Sequence, residues 1–279
     1  MARILAISSQ VARGSVGLSV IVPALQAQGH EVIALPTVVL SNHPGHAHVA
    51  GSRIDPAVLY KMLEALKANG WLSGVDAVLT GYLPTDMHVE FAAWAQLRAS
   101  EARGRPVTYL CDPVLGDDPK GLYIDQRAAD AIRTSLVPLA DYVTPNRFEL
   151  SFLSGSDVRS TRDCLDTHIN SRATIVATSI PSGRRGETLN MLRSKEQSAL
   201  TRVPLRPDAP HGTGDLFSAL ILSCLLDNDD PIAALAFATA GVDATLAASA
   251  GHDQLLIAAL PSRAKAARHW PLEAIERAS

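Results

Sequence analysis

Cysteine is scarce in this chain: Cys111, Cys164 and Cys224 are its three, far apart and in no Cys-x-x-Cys pair. That spacing argues against a disulfide framework and against a cysteine-based zinc site, and it makes a reducing cytoplasm the expected setting. An excess of positive charge is missing too. The net charge of −3 supplies no field for condensing on nucleic acid or an anionic membrane, so any anionic ligand must be held by local geometry. No run of about 20 apolar residues is present, and no segment is expected to span a membrane. The apolar start, residues 1–7, is too brief for a signal peptide and is ended by polar Ser8-Ser9-Gln10.

Two nucleotide-binding signatures are also lacking. Gly-x-x-x-x-Gly-Lys-Ser/Thr does not occur, which excludes a P-loop enzyme. No Gly-x-Gly-x-x-Gly follows the first apolar run. Arg13-Gly14-Ser15-Val16-Gly17 offers only a glycine pair, which disfavours a Rossmann-type dinucleotide fold. There is no internal repeat and no low-complexity linker. A chain of 279 residues, 47% apolar and 19% charged, therefore reads as one globular domain over 1–279.

What the sequence does contain is alternation. Short runs rich in Val, Ile and Leu at 3–8, 31–36, 76–80, 106–111, 141–144 and 173–178 read as strands. Helical spacing fills 16–28, 56–69, 87–103 and 125–137 and starts again at 147–153, with Gly29, Gly70, Gly104 and Gly155 as stops. This predicts βαβ units and a mostly parallel sheet covered on both faces, an α/β sandwich. The strands lack strict period-two alternation, as strands buried on both sides do. Residues 189–192 and 198–203 predict a hairpin, and 215–226, 232–248 and 254–260 predict closing helices.

In open parallel sheets ligands bind beyond the carboxyl ends of the strands. Polar groups recur at those ends: Ser8, Ser9 and Gln10 with Gly14 and Gly17, then Ser41-Asn42-His43-Pro44-Gly45-His46-Ala47-His48, Gly81-Tyr82, Asp112-Pro113 with Gly116 and Gly121, Pro145-Asn146 with Glu149, and Thr178-Ser179. The sharpest feature is His211-Gly212-Thr213-Gly214-Asp215, followed at once by an apolar helix. Glycines let backbone N–H groups face a ligand, and a helix N-terminus adds about half a positive charge, so this stretch predicts an anion cradle. Asp215 in the first turn can accept the proton of an attacking alcohol. The plainer alternative is a helix cap.

With these residues in view, the chain resembles the pyridoxal kinases of the ribokinase-like superfamily, from Ile4 to about Leu260. Gly212-Thr213-Gly214-Asp215 carries the superfamily likeness. Ser9-Gln10-Val11 with Gly14 and Gly17, Ser41-Asn42-His43 leading to Gly45-His46-Ala47-His48, Gly81-Tyr82, Cys111-Asp112-Pro113-Val114-Leu115-Gly116 and Thr144-Pro145-Asn146-Arg147-Phe148-Glu149 point to pyridoxal kinase.

The resemblance implies a ribokinase-like three-layer α/β/α sandwich and ATP-dependent phosphorylation of the 5′-hydroxymethyl group of pyridoxal, with pyridoxine and pyridoxamine as relatives. Asp215 is then the base, and Gly212, Thr213 and Gly214 bind the migrating phosphoryl. Ser9, Val16, Val38, Leu40, His43, Pro44, His46 and Tyr82 are implied on the substrate side. Asp112, Tyr123, Asn146, Glu149, Thr178, Ser179, Leu205, His211 and Leu255 are implied on the ATP side. Mg²⁺ is implied near Asp112 and Glu149, and a monovalent cation such as K⁺ near Thr144, Asp112 and Thr178. Residues 116–123 resemble a lid over ATP. A homodimer is implied as well. Two positions depart from the family: Pro44 stands where Thr is frequent, removing a hydroxyl from the substrate side, and Leu18 stands where Asn is usual after Gly17.

Other features have blander readings. His43, His46 and His48 suggest zinc but have no acidic or cysteine partner nearby in sequence, so a loop capping the pocket is preferred. Cys111 reads as buried filler, Asp117-Asp118 and Arg184-Arg185 as solvated loops, and Trp71, Trp94 and Trp270 as residues in or near the core. Two rival functions remain: a hydroxymethylpyrimidine kinase of the same superfamily, and a non-catalytic vitamin B6-binding module.

Overall fold

The computed structural model describes residues 1–206, 208–227, 230–260 and 270–275. The chain runs β1 (Arg3–Val11), α1 (Leu18–Ala27), β2 (Glu31–Leu40), the short β3 (Gly51–Arg53), α2 (Pro56–Ala68), β4 (Val75–Thr80), α3 (Asp86–Arg103) and β5 (Thr108–Cys111). A small flap of β6 (Gly116–Asp117) and β7 (Gly121–Leu122) precedes α4 (Gln126–Ala131), β8 (Tyr142–Val143), α5 (Arg147–Ser154) and α6 (Thr161–Asp166). Then come β9 (Thr174–Pro181), β10 (Glu187–Arg193), β11 (Ser198–Pro204), α7 (Thr213–Leu226), α8 (Pro231–Ala248) and β12 (Glu273–Ala274).

One sheet holds ten of the strands in the order β12-β11-β10-β9-β8-β5-β4-β1-β2-β3. From β2 to β9 every neighbouring pair is parallel; β3, β10, β11 and β12 add antiparallel margins. The alternation of side chains along a strand feeds two cores. Leu5 and Ile7 of β1 pack with Leu59, Leu63 and Phe91 on one face. Ile4 and Ala6 pack with Leu18, Ile21, Leu216 and Leu220 on the other. That is why β1 and β4 read as unbroken apolar runs: both faces are covered.

The helix ends are set locally. Asp55 caps α2 by accepting the Ala57 N–H, with Pro56 at the first helical position. Thr85 caps α3, and Gly104 ends it in the left-handed region. α1 begins at Leu18, two residues later than the spacing predicts, because Gly17 adopts φ 55° and ψ −135°. The helix expected over 125–137 loosens after Ala131 into a wider and then a tighter turn, reaching Leu139.

Two expectations are corrected, and a third feature needs the fold to be read. Residues 254–260 form only a short tight turn, Ile257–Ala259. There the chain is tied back by Leu256 N–H to Ser249 Oγ at 2.9 Å, so its apolar residues dock on the core without a full helix. Trp71 is 53% exposed, whereas Trp94 packs in the ring cluster with Tyr60 and Phe91, and Trp270 Nε1 donates to the Arg202 carbonyl. Finally, α8 is long and apolar enough by composition to cross a membrane, with mean hydropathy 1.5. In the fold it packs on α7 and the β10–β11 margin, with Leu235, Phe237 and Ala238 buried.

Candidate active site

All six parallel strands point their carboxyl ends the same way, and the chemistry-bearing loops collect there. At the centre is the start of α7. Gly212 sits before it with φ 100°, and a Cβ at that position would lie 1.7 Å from the Ser15 carbonyl oxygen. Glycine is thus required on both conformational and steric grounds. The close approach binds the β1–α1 loop, with Ser15 and Val16, to the 212–215 stretch. A Cβ at Gly214 would meet no atom within 4 Å, so chain packing does not demand glycine there. The first N–H groups of α7 lack acceptors within the helix, as at any helix start.

Asp215 is partly buried, and its Oδ2 accepts the Gly17 N–H at 3.0 Å. A Cβ on Gly81 would stand 3.8 Å from Asp215 Oδ1 and 2.5 Å from Ser8 Oγ, so a side chain at 81 would intrude on both. Desolvation raises the Asp215 carboxyl to about 6, only partly offset by the Gly17 bond. Such a group is ionised at neutral pH yet basic enough to take a proton, as a general base requires.

Ser8 and Ser9 divide the labour at the end of β1. The β1–β2 register shifts between Ser8 and Gln10, where Thr37 and Val38 of β2 together stand opposite Ser9, so the bulge lies on β2. Ser8 is fully buried, and its Oγ accepts the Tyr82 N–H at 3.1 Å, fixing the β4–α3 turn. Ser9 is less buried and lies against Gly17, whose Cβ would come within 2.3 Å of Ser9 Oγ. Val38 is buried, Leu40 is half-buried, and the Tyr82 carbonyl accepts from Thr37 Oγ1 at 2.8 Å. Burial raises the Tyr82 hydroxyl.

A second group lies alongside. Ser218 Oγ donates to Asp112 Oδ2 at 2.8 Å and lies 2.8 Å from Thr144 Oγ1. Ser218 was not among the residues singled out by the sequence. Its signal is its position three after Asp215 on an otherwise apolar helix, which puts both on one face. Desolvation first, then the carboxylates of Glu149 and Asp215, push Asp112 well above the usual carboxylate range. Glu149 is raised to about 7 by desolvation, against three backbone N–H bonds that lower it.

Glu149 also has a structural role. With Asn146 it forms a reciprocal cap of α5: Asn146 Oδ1 accepts the Glu149 N–H and Glu149 Oε2 accepts the Asn146 N–H. Its other oxygen accepts the Leu115 N–H at 2.8 Å, and Asn146 Nδ2 donates to the Gly116 carbonyl at 2.8 Å. One cap thereby anchors the base of the β6–β7 flap. Asp118, expected to be a solvated loop residue, instead pairs with Arg147. Tyr123 beyond the flap is 46% exposed, its hydroxyl raised to about 12 by desolvation.

Thr178 pairs by an isolated bridge with Asn146. Ser179 follows with φ 58°, at the point where the β9–β10 register shifts, and is exposed. The residues expected around adenine do not gather. Leu205 is 56% exposed, and Leu255 is 2% exposed with its side chain in the core and its carbonyl accepting from Ser15 Oγ. The His211 ring stacks on His43 from the 41–50 loop, centroids 3.8 Å apart. Pro44 occupies the second position of a turn closed by His46 N–H to the His43 carbonyl at 3.2 Å, a place that suits its fixed φ. His46 and His48 line an open cleft of about 310 Å³ with Arg13, Ser41, Asn42 and Ala47.

Among the described residues no three His, Cys, Asp or Glu side chains are grouped as a metal cage. Magnesium takes one or two carboxylates, waters and phosphate oxygens, so Asp112 and Glu149 form a donor pair of the right chemistry. Both carboxyls are raised by burial, a cost that a bound cation relieves.

Comparison with known proteins places this geometry. The family model for phosphomethylpyrimidine kinase matches residues 21–256. A pyridoxal kinase of Corynebacterium diphtheriae is 34% identical over 242 residues, 84% of each chain. Human pyridoxal kinase is 34% identical over 240 residues, 79% of this chain and 76% of that one. The solved pyridoxal kinase of Leishmania donovani in complex with ADP and pyridoxamine superposes with a TM-score of 0.90 at 29% identity, covering 98% of this chain and 99% of that one. The chain belongs to the phosphomethylpyrimidine kinase family and has the ribokinase-like α/β fold of its pyridoxal kinase relatives.

Proposed function

We propose that this protein is an ATP-dependent kinase that phosphorylates the 5′-hydroxymethyl group of pyridoxal and its B6 relatives. The observation that carries the reading is the placement of Asp215. Its carboxylate lies between the Gly17 amide and the Gly81 backbone, in the first turn of a helix whose leading N–H groups face the same space. An acceptor hydroxyl next to Asp215 gives up its proton as it attacks the γ-phosphoryl. The amides of Gly212, Thr213 and Gly214 hold the charge that develops, each worth about 3 kcal/mol in such a site.

Ser9, Val16, Val38, Leu40 and Tyr82, with His43, Pro44 and His46 above, enclose the flat acceptor ring. The nucleotide lies toward Asp112, Asn146, Glu149, Thr178 and Ser179, under the flap that leads to Tyr123. Asp112 and Glu149 would hold Mg²⁺, which would supply charge neutralisation of the phosphates. A monovalent cation belongs with Thr144, Asp112 and Thr178, two of which are tied through Ser218. Flap closure excludes water as a competing acceptor. The same reading includes a homodimer, supported by the resemblance, and a cytoplasmic setting, supported by three buried free cysteines.

A second reading is phosphorylation of a hydroxymethylpyrimidine, a related acceptor to which membership of the phosphomethylpyrimidine kinase family lends support. A panel of pyridoxal, pyridoxine, pyridoxamine and hydroxymethylpyrimidine with ATP and Mg²⁺ decides between them. The expected result is the highest kcat/KM on a B6 vitamer. A higher value on hydroxymethylpyrimidine reverses the assignment, and no turnover on any of the four removes it.

A further inference from the structure

The 41–50 loop is held together internally. Ser41 and Ala50 are bonded in both directions, Ser41 N–H to the Ala50 carbonyl and Ala50 N–H to Ser41 Oγ. Asn42 Nδ2 donates to the carbonyls of both His43 and His48. The loop therefore behaves as one stiff piece, and its position over the site depends on what it touches on the far side.

That contact is a ring stack. His43 lies on His211 with centroids 3.8 Å apart and planes inclined by 25°. His211 immediately precedes Gly212, so the stack joins the 41–50 loop to the anion cradle across the mouth of the site. Gly45 closes on its edge: a Cβ there would fall 2.9 Å from His43 Nδ1 and 3.3 Å from His211 Nε2. The Gly45 N–H donates to His43 Nδ1 at 3.0 Å. An accepting Nδ1 carries no proton, so the bond selects the neutral imidazole with hydrogen on Nε2.

Desolvation comes first in keeping both rings neutral, and most of the charged groups around the pair act in the same direction. Lys120 at the tip of the β6–β7 flap and His46 both disfavour a charge on His43 and on His211, while Asp117 alone favours one on His211. Two neutral rings stack; two imidazolium rings beside a lysine repel.

We propose that His211 is a positioning residue for the acceptor: by stacking on His43 it clamps the 41–50 loop over the pocket and ties loop placement to the phosphate cradle. This rests on the reading of that loop as the cover of the acceptor site. The clamp places His211 on the acceptor side of the site, in contrast to the nucleotide side that the family resemblance implies.

The test uses the full chain with His211→Ala and His211→Phe, the second keeping a ring that cannot ionise. In steady-state kinetics with pyridoxal and ATP, His211→Ala is expected to raise KM for pyridoxal about tenfold, the size of one lost ring pair, with KM for ATP unchanged. His211→Phe is expected to restore it. A rise in KM for ATP with KM for pyridoxal unmoved overturns the proposal, as does an alanine variant that matches the wild type. Hydrogen exchange at residues 41–50 is read in parallel without substrate. Faster exchange in His211→Ala that returns to normal in His211→Phe supports the clamp; equal exchange in all three proteins refutes it. If the wild type turns over no vitamer, the kinase reading fails by itself and the exchange result still decides whether His211 holds the loop.

Discussion

The two walls of the site respond to the same physical force in opposite senses. On one wall, burial lifts three carboxyl groups, Asp112, Glu149 and Asp215, above their ordinary range. On the other, burial lowers two imidazoles, His43 to about 4 and His211 below its usual value. Desolvation penalises the charged form whichever sign it has. The acidic wall is thereby poised to take up a proton or a cation. The histidine wall is held neutral and does its work by shape. In the proposed reading the buried carboxyls carry the reaction chemistry and the stacked histidines position the 41–50 loop.

The largest expected effect breaks the acidic wall. Asp215→Asn should lower kcat by about 10³-fold, the range of a positioned proton acceptor, with vitamer binding retained by calorimetry. Its stability should move the other way. The folded carboxyl is raised to about 6, so the folded chain holds its proton more readily than the unfolded one, and stability falls as pH rises through that value. The neutral amide lacks that penalty, and Asp215→Asn should melt at a higher temperature than the wild type at pH 8. A variant with wild-type turnover would remove Asp215 from its role.

The next prediction separates the walls by pH. kcat should fall as pH drops through about 6, because Asp215 takes up the proton it must lack to act as a base. KM for pyridoxal should stay flat over the same window, because His43 remains neutral until about 4. An unshifted histidine would titrate inside that window and raise KM along with the loss of kcat. Profiles of the two constants from pH 8 to 5 check this, and parallel changes would erase the distinction between the walls.

The smallest effect sharpens the acidic wall. Ser218→Ala removes the bridge between Asp112 and Thr144, two contacts of 2.8 Å. Denaturant unfolding should show a loss of about 1–2 kcal/mol, since each net hydrogen bond contributes roughly 1 kcal/mol. KM for ATP should rise more than KM for pyridoxal, because the proposed reading puts Asp112 on the nucleotide side.

The parallel strands and most helices were legible because both of their determinants are local: apolar period and the residues that stop it. α3 is capped by Thr85 and ended by Gly104, within a turn of the predicted bounds. The failures have local causes that pattern does not carry. Gly17 delays α1 by its backbone conformation, and Ser249 holds Leu256 so that 254–260 cannot coil into a helix. β3, β6, β7 and β12 are two or three residues long, too short for any period to register. In the candidate site, the Gly212–Asp215 stretch was legible as a string that opens a helix. Ser218 was hidden inside an apolar helix, and Leu255 read as an adenine contact although its side chain is in the core.

By itself the sequence determined the layered α/β architecture and the residue types at each strand end, since these follow from burial periodicity and from what glycine, aspartate and histidine can do. Only the tertiary structure decided which of those residues meet. Asp215 faces Gly17 from 198 positions away, and His43 lies on a ring far along the chain. Such pairings depend on how the strands are ordered in the sheet, and strand order is a property of the whole packed chain that no local stretch encodes.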